Sequence, residues 1–411
     1  MAEIKPFRGY SPPADMAKKV SSPPYDVLSS IEAREMAQNN SDSFLRIIKP
    51  EIDYSLGDAP SGETLHHHAA ENLDAFIKSG KLRQDENPCF YIYQISMVQH
   101  TQTGIIAAVS VDEYNQDLIK KHELTRPDKE NDRTRHIEIT NANTGPVLLT
   151  FRNDGEFQKH IADILNQETD ITFQADDGTV HSLWKITLSG ILDSLRSYFE
   201  SIPALYIADG HHRAASASQV QKIRQDNNPH HRGDESYNYF LSVIFPHDEM
   251  QILGYNRLVK DLVGLSEDQF LELIKTRFML AQLPNLQKPA GRHAFSMYLN
   301  GNWYQLIAKD KIISNDSVTG LDASILQDHL LAPILKIDDP RTNKRIEFVG
   351  GARGLEELER RCNLDAKVAF ALHPVPIDEL LAVADAGKVM PPKSTWFEPK
   401  LRSGLVVRVL D

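Results

Sequence analysis

The stretch Leu205-Tyr-Ile-Ala-Asp-Gly-His-His-Arg-Ala-Ala-Ser-Ala-Ser218 constrains this chain more than any other, because an apolar run, a glycine break and an alanine-rich helix start follow one another without a linker. Tyr206 and Ile207 favour a strand, whereas the small residues from Ala214 onwards favour a helix. A strand that turns through Gly210 into a helix aims the helix's first amides, and its positive dipole end, at one point in space. That point is an anion site. His211 and His212 add donors, and the planar fork of Arg213 suits phosphate or carboxylate oxygens, so phosphate is the expected ligand. The alternative is an ordinary turn with solvated polar residues. Five consecutive turn residues, Asp209 to Arg213, without one bland choice weigh against it.

At 411 residues the chain is too long for one simple core, and 25% charged with 41% hydrophobic residues is the balance of a folded soluble protein. A formal charge of −12 disfavours broad binding to nucleic acid or anionic membrane, but leaves room for a small anion in a local positive pocket. Cys89 and Cys362 are the only cysteines, which excludes a disulfide framework and a cysteine zinc site. The start of the chain has no apolar core of a signal peptide, and no stretch reaches the length of a membrane span, so the cytosol is the expected compartment.

The N-terminal part opens with a proline-stiffened Val20-Ser-Ser-Pro-Pro-Tyr-Asp-Val-Leu28, which either is a rigid connector or brings Tyr25 and Asp26 to the site. A helix follows from about Ser30, capped by Ser29 or Ser30, then a strand from Ser43 to Lys49 and an amphipathic helix from Glu63 to Gly80. His66, His67 and His68 point in different directions on that helix and are expected at the surface. Two β-rich runs, Cys89 to Met97 and Gly104 to Val111, read as a hairpin with a polar loop.

His122, Glu123 and Thr125 precede Pro127, which forces a change of chain direction beside Glu123. They are either a charged surface helix end or a positioned acid that accepts a proton or binds a metal. Lys129 and Arg133, four apart on the next helix, share a face and are expected to hold one anion. Further on, Asn256 and Arg257 follow a strand end, a usual place for ligand-facing residues. Asn300-Gly301 marks a hairpin, Leu321 to Ile334 a helix, and Gly404 to Leu410 a final strand. The loop from Met390 to Lys400 offers Lys393, Ser394, Thr395 and Lys400 to an anion, unless it is only a proline-rich connection.

Four motifs carry a resemblance: Ser22-Pro-Pro-Tyr-Asp26; His122-Glu-Leu-Thr125 with Lys129 and Asp132-Arg133; Ala208-Asp-Gly-His-His-Arg213; and Met390-Pro-Pro-Lys-Ser-Thr395 with Pro399-Lys400. Together they resemble the bacterial and archaeal family catalogued as domain of unknown function 1015. The Asp-Gly-His-His-Arg element is similar to the phosphate-binding element of the ParB and sulfiredoxin superfamily, whose members include nucleotide hydrolases and free-serine kinases. That resemblance, extending to pyrophosphate-dependent serine kinases, implies that His211, His212 and Arg213 hold the donor's phosphates while Glu123 acts as base. Phosphoryl transfer rests on positioning and charge neutralisation, and Arg213, Lys129, Arg133, Lys393 and Lys400 are the cations available for it.

The expected fold is α+β, with a mixed central sheet and a ParB/sulfiredoxin-like core at residues 89–260, an N-terminal α/β part at 1–88 and a C-terminal α+β part at 261–411 that closes a cleft. The expected function is a phosphotransferase acting on a small hydroxylated metabolite, free L-serine first, with ATP, ADP or pyrophosphate as donor and Mg2+, for which Asp209 is the expected ligand. Catalysis is assigned to Glu123, Asp209, His211, His212 and Arg213, and binding to Tyr25, Asp26, His122, Thr125, Lys129, Arg133, Gly210, Lys393, Ser394, Thr395 and Lys400. A nucleotide or phosphoester hydrolase and a non-catalytic nucleotide-binding ParB-like module are the alternatives. No nucleic acid or membrane partner is expected, and the sequence does not fix an oligomeric state. A histidine-cluster metallohydrolase ranks last, since no His-Glu-x-x-His spacing occurs.

Overall fold

The computed structural model describes residues 2–410. The chain forms two compact units, residues 1–250 with 399–411, and residues 251–398. This division differs from boundaries drawn at 88 and 260. Ile4–Lys5 pairs with His100–Ser110, and Val407 bridges to Tyr10, so both ends of the chain are built into the first unit. A reading in chain order does not show such returns.

The first unit is organised by a nine-stranded mixed sheet. Its central members are Leu205–Asp209, Val147–Phe151, Tyr239–Pro246, His100–Ser110 and Phe90–Met97, in that spatial order. Tyr239–Pro246 runs parallel to Val147–Phe151, Leu205–Asp209 runs parallel to the short Ile119–Lys120 beside it, and the other pairings are antiparallel. The core joins Ile92, Ile105, Leu149 and Ile207 of the sheet to Phe157, Leu195, Phe199 and Ala214 of the helices. The fold is α+β with a mixed sheet, as expected.

Three local expectations fail for identifiable reasons. Ser43 to Lys49 is a short helix, Leu45–Ile48, because an apolar run of this length fits a buried helical turn as well as a strand. The loop expected between the two β-rich runs shrinks to Val98-Gln99, since His100–Thr103 continues the ladder with Met97–Gln94. Of the final strand, Arg408–Val409 pairs with Ala142–Asn143 and the rest stays irregular. The capping box at Ser29 and Glu32 is present.

The second unit contains a six-stranded antiparallel sheet ordered Phe278–Leu283, Asn302–Ala308, Ala294–Leu299, Val368–Leu372, Tyr255–Val259, Ile346–Gly350. Asn300 and Gly301, with φ of 46° and 79°, make the expected tight hairpin. The helix expected from Leu321 to Ile334 is shorter, Asp322–Leu326, and widens into a π-turn at Gln327–Leu331. Among the described residues no helix is long and apolar enough to cross a membrane.

Close packing of the first sheet leaves no space at Gly104, where a Cβ would lie 2.4 Å from the Ile244 carbonyl oxygen and 2.6 Å from the Phe245 ring. Gly104→Ala is expected to lower stability by about 1–3 kcal/mol, as overpacking does. Gly190→Ala, in the helix Ser189–Ser201 with nothing within 4 Å, is expected to be neutral or stabilising. Urea midpoints of the two variants check the contrast; equal midpoints contradict it.

Candidate functional site

The strand Leu205–Asp209 is buried along its apolar residues and shifts register between Ile207 and Asp209, an irregularity that re-aims the chain where it leaves the ladder. Gly210 follows with φ of 96°, a left-handed conformation that glycine adopts without steric cost, and the helix His211–Asp226 starts at once. The strand–glycine–helix junction expected from the sequence is therefore present.

Its side chains are arranged differently from an open anion cradle. Arg213 folds back over the turn, so that a Cβ on Gly210 would meet its guanidinium at 3.0 Å. One of its terminal nitrogens donates to the Pro146 carbonyl, and Nη2 lies 3.6 Å from Asp26 and 3.8 Å from Asp209. The side chain is only 11% exposed. Two flanking carboxylates draw the cation inward, which solvent-exposed turn chemistry does not predict. The ion pairs are long beside the 2.7–2.9 Å usual for charge-assisted bonds, and Nε is buried without a hydrogen-bond partner. Arg213 is compensated in charge but not saturated in donors.

Asp209 receives Lys400 at 3.2 Å as its closest ion-pair partner. Burial pushes the Asp209 carboxyl up, but Lys400 and Arg213 together outweigh it and hold it well below the usual carboxylate range. Tyr25 is pushed up to about 12 by burial, with the Asp26 carboxylate adding to the effect. The proline-stiffened turn thus does bring Tyr25 and Asp26 to this cluster, and Arg133 lies with its guanidinium 4.5 Å from the Tyr25 ring centre.

On the other side of the turn, His122, Glu123 and His211 form a second group. The rings of His122 and His211 meet edge to face at 4.5 Å, the His122 amide approaches His211 Nε2 at 3.5 Å, and His211 Nδ1 lies 3.9 Å from Glu123. Burial pulls His122 down to about 4, and His211 well below its ordinary value with His122 adding repulsion. Both rings are neutral at physiological pH. The Ile207 carbonyl pulls on His122 electrostatically, yet neither ring nitrogen of His122 has a partner in hydrogen-bond geometry. Ligand atoms of His122, Glu123 and His211 lie within 4.8 Å of one another, the one such group among the described residues. Two imidazoles and a carboxylate suit a transition-metal ion better than Mg2+, which prefers oxygen. Asp209, expected to bind magnesium, is instead engaged by two cations.

The remaining expected residues divide. His212 accepts the Arg126 amide at 3.0 Å, and Thr125 donates to Glu130 at 2.8 Å. Lys129 is exposed, whereas Arg133 is tucked against Asp132 and Tyr25, so the two do not share one environment. Lys393, Ser394 and Thr395 belong to the second unit; Lys393 lies 5.6 Å from the Tyr255 ring centre and Ser394 donates to the Pro391 carbonyl at 2.6 Å. Of the three adjacent histidines, His66 is buried against Asp132 and His136, contrary to a surface role. Nothing in the sequence marks Pro146, His136 or Ser403 for this site. His136 and Ser403 border, with Tyr25, Arg133 and Arg213, a cavity of about 30 Å³. They come from distant segments, and no motif marks them.

A family model described as "Protein of unknown function (DUF1015)" matches residues 4–324. No curated protein sequence matches the chain. Among solved structures, a free serine kinase in complex with AMP is similar at 14% identity, covering 75% of this chain and 91% of that one, with a TM-score of 0.38. SbnI with a C-terminal truncation, from Staphylococcus aureus, is similar at 13% identity over 74% of this chain and 87% of that one, TM-score 0.40. A conserved hypothetical protein from Pyrococcus furiosus is similar at 15% identity over 74% and 95%, TM-score 0.36.

His136 carries a pH signature. Burial, with Arg133 adding repulsion, pulls it down to about 3, so between its ordinary value and that point the unfolded chain binds a proton that the folded chain does not. Stability is therefore full above about pH 6.5 and is lost as pH falls towards the folded value, by up to roughly 5 kcal/mol from this group. His136→Gln, which keeps a donor for the Ile47 carbonyl, is expected to flatten the decline of the urea midpoint between about pH 7 and pH 4.5. An unchanged slope rules this origin out.

Proposed function

Because the chain belongs to the DUF1015 family, for which no activity comes with membership, its function has to be argued from its own residues, and we propose that it is a phosphotransferase that phosphorylates a small hydroxylated metabolite, free L-serine first. The observation that carries this reading is Arg213. It is a largely buried guanidinium with an unpartnered Nε and two stand-off carboxylates, in the first turn of a helix that no side chain caps. A phosphoryl oxygen is the ligand that such a fork and such a helix start bind together. Entry of the donor's phosphates displaces Asp26, the more exposed of the two carboxylates at 34%, and leaves Asp209 held by Lys400.

The other residues take roles consistent with their surroundings. Glu123, 40% exposed beside a neutral His211, is the base that accepts the hydroxyl proton. The hydroxyl oxygen then bonds to the transferred phosphorus as the bond to the leaving phosphate group breaks, and Arg213 and Lys400 neutralise the charge that develops. ATP, ADP or pyrophosphate is the donor. Glu123 and Asp26 are the part-exposed carboxylates beside the turn that would hold Mg2+ bound with the donor's phosphates, where it would help neutralise their charge. The free serine kinase likeness agrees with this reading but adds no weight to it. The resemblance of the Asp-Gly-His-His-Arg turn to ParB and sulfiredoxin phosphate elements supports it at the level of motif.

Incubation of the protein with L-serine, Mg2+ and each donor in turn is expected to yield phosphoserine, read by mass spectrometry. Glu123→Gln is expected to slow turnover by about 10²–10⁴-fold, the usual contribution of a positioned base. Phosphate released without serine identifies a hydrolase instead, and no product with any donor removes the kinase reading.

A further inference from the structure

We propose that the second unit carries its own binding site for a small oxyanion, centred on Arg257, which goes beyond the phosphotransferase reading and does not depend on it. Arg257 lies in the middle of the strand Tyr255–Val259, between Asn256 and Leu258, and is 3% exposed. A guanidinium presents five N–H donors. Among the described residues its one hydrogen bond goes to the Tyr255 carbonyl, and the ring of Phe348 lies 5.2 Å away. No carboxylate pairs with it. A buried cation in this state is costly to a fold that has no use for it, and oxyanion recognition is a use that accounts for it.

The guanidinium also has somewhere for a ligand to sit. Arg257 lines a cavity of about 230 Å³, with Phe348, Pro391 and Pro392 as apolar walls and Gln327 and Arg341 as polar ones. That space is roughly the share of eight waters in the liquid, enough for inorganic phosphate or for a three-carbon amino acid. Asp338 and Asp339 also border the cavity, and they are the obvious alternative partners for Arg257. Neither takes that part. Asp339 accepts Nε and Nη2 of the exposed Arg341 at 3.0 and 3.1 Å, and burial pulls Arg257 down to about 10, with only the Tyr255 phenol and no carboxylate acting against it. The side chain thus carries a positive charge that no carboxylate among the described residues pairs with, and an anionic ligand would balance it. The sequence points the same way, since the Met390-Pro-Pro segment expected to serve an anion borders this cavity through its prolines.

The ligand chemistry is a carboxylate or phosphate group taken by the fork of Arg257, and two probes distinguish the sources: inorganic phosphate and L-serine. Calorimetric titration of the full chain with each is expected to show binding by at least one of them. Arg257→Met is expected to weaken that binding by about tenfold or more, and Arg257→Lys, which keeps the charge and loses the planar fork, by a smaller factor. Arg257→Met is expected to match wild type in the kinase assay, so that a failure of that assay and a failure here are read separately. Neither probe binding the wild-type chain, or the same affinity in Arg257→Met as in wild type, overturns the site. Should Arg257→Met not fold, Arg257→Lys decides, and an unchanged affinity in it overturns the proposal.

Discussion

Desolvated charges at the end of the strand Leu205–Asp209 hold the first unit together around one point. Asp209 and Arg213 face each other across the turn made at Gly210, and neither is tolerable alone in a desolvated setting. Asp26, from the N-terminal turn, and Lys400, from the last segment of the chain, complete the compensation. The geometry of the turn is what makes this possible. A register shift and a left-handed glycine end the strand and start the helix at once, which brings residues four apart within ion-pair reach, where an uninterrupted strand would hold them about 13 Å apart. The same charges that stabilise the turn give it the means to exchange a carboxylate for a phosphate.

Much of this was legible in the sequence. The strand, the glycine and the helix of the central junction have strong local signals, and the gathering of Tyr25, Asp26, Asp209, Arg213 and Lys400 follows the motifs that single them out. The direction in which Arg213 turns was not legible, because it depends on Asp26 and on the Pro146 carbonyl, 187 and 67 positions away along the chain. Similarly, the burial of His66 depends on Asp132 and His136, which no helical periodicity around His66 reveals. Short apolar runs such as Phe44 to Ile48 were misread for a different reason: they satisfy strand and helix patterns equally, and packing decides.

Arg213 and Arg257 illustrate two ways for a protein to bury a guanidinium. Arg213 is surrounded by charge and lacks only a donor's partner, so a ligand there replaces a carboxylate already present. Arg257 lacks an opposing carboxylate and is held by a carbonyl and an aromatic face. Exchange keeps the local charge near balance with or without ligand; an unopposed cation makes the ligand-free state the strained one. The distinction is one of electrostatic design and holds within each unit separately.

The position of Lys400 in the chain has a bearing on how the protein matures on the ribosome. Residues 251–398 are a unit of their own, threaded between Asp209 and the lysine that neutralises it. Domains tend to fold as they emerge, so the inserted unit is fully synthesised while the first still lacks its closing segment. Until that segment arrives, Asp209 has Arg213 but not its nearest cation. A chain stalled before residue 400 would therefore carry at its centre an acid with only one of its two cations, which ties the assembly of the reactive turn to the synthesis of the segment that follows the inserted unit.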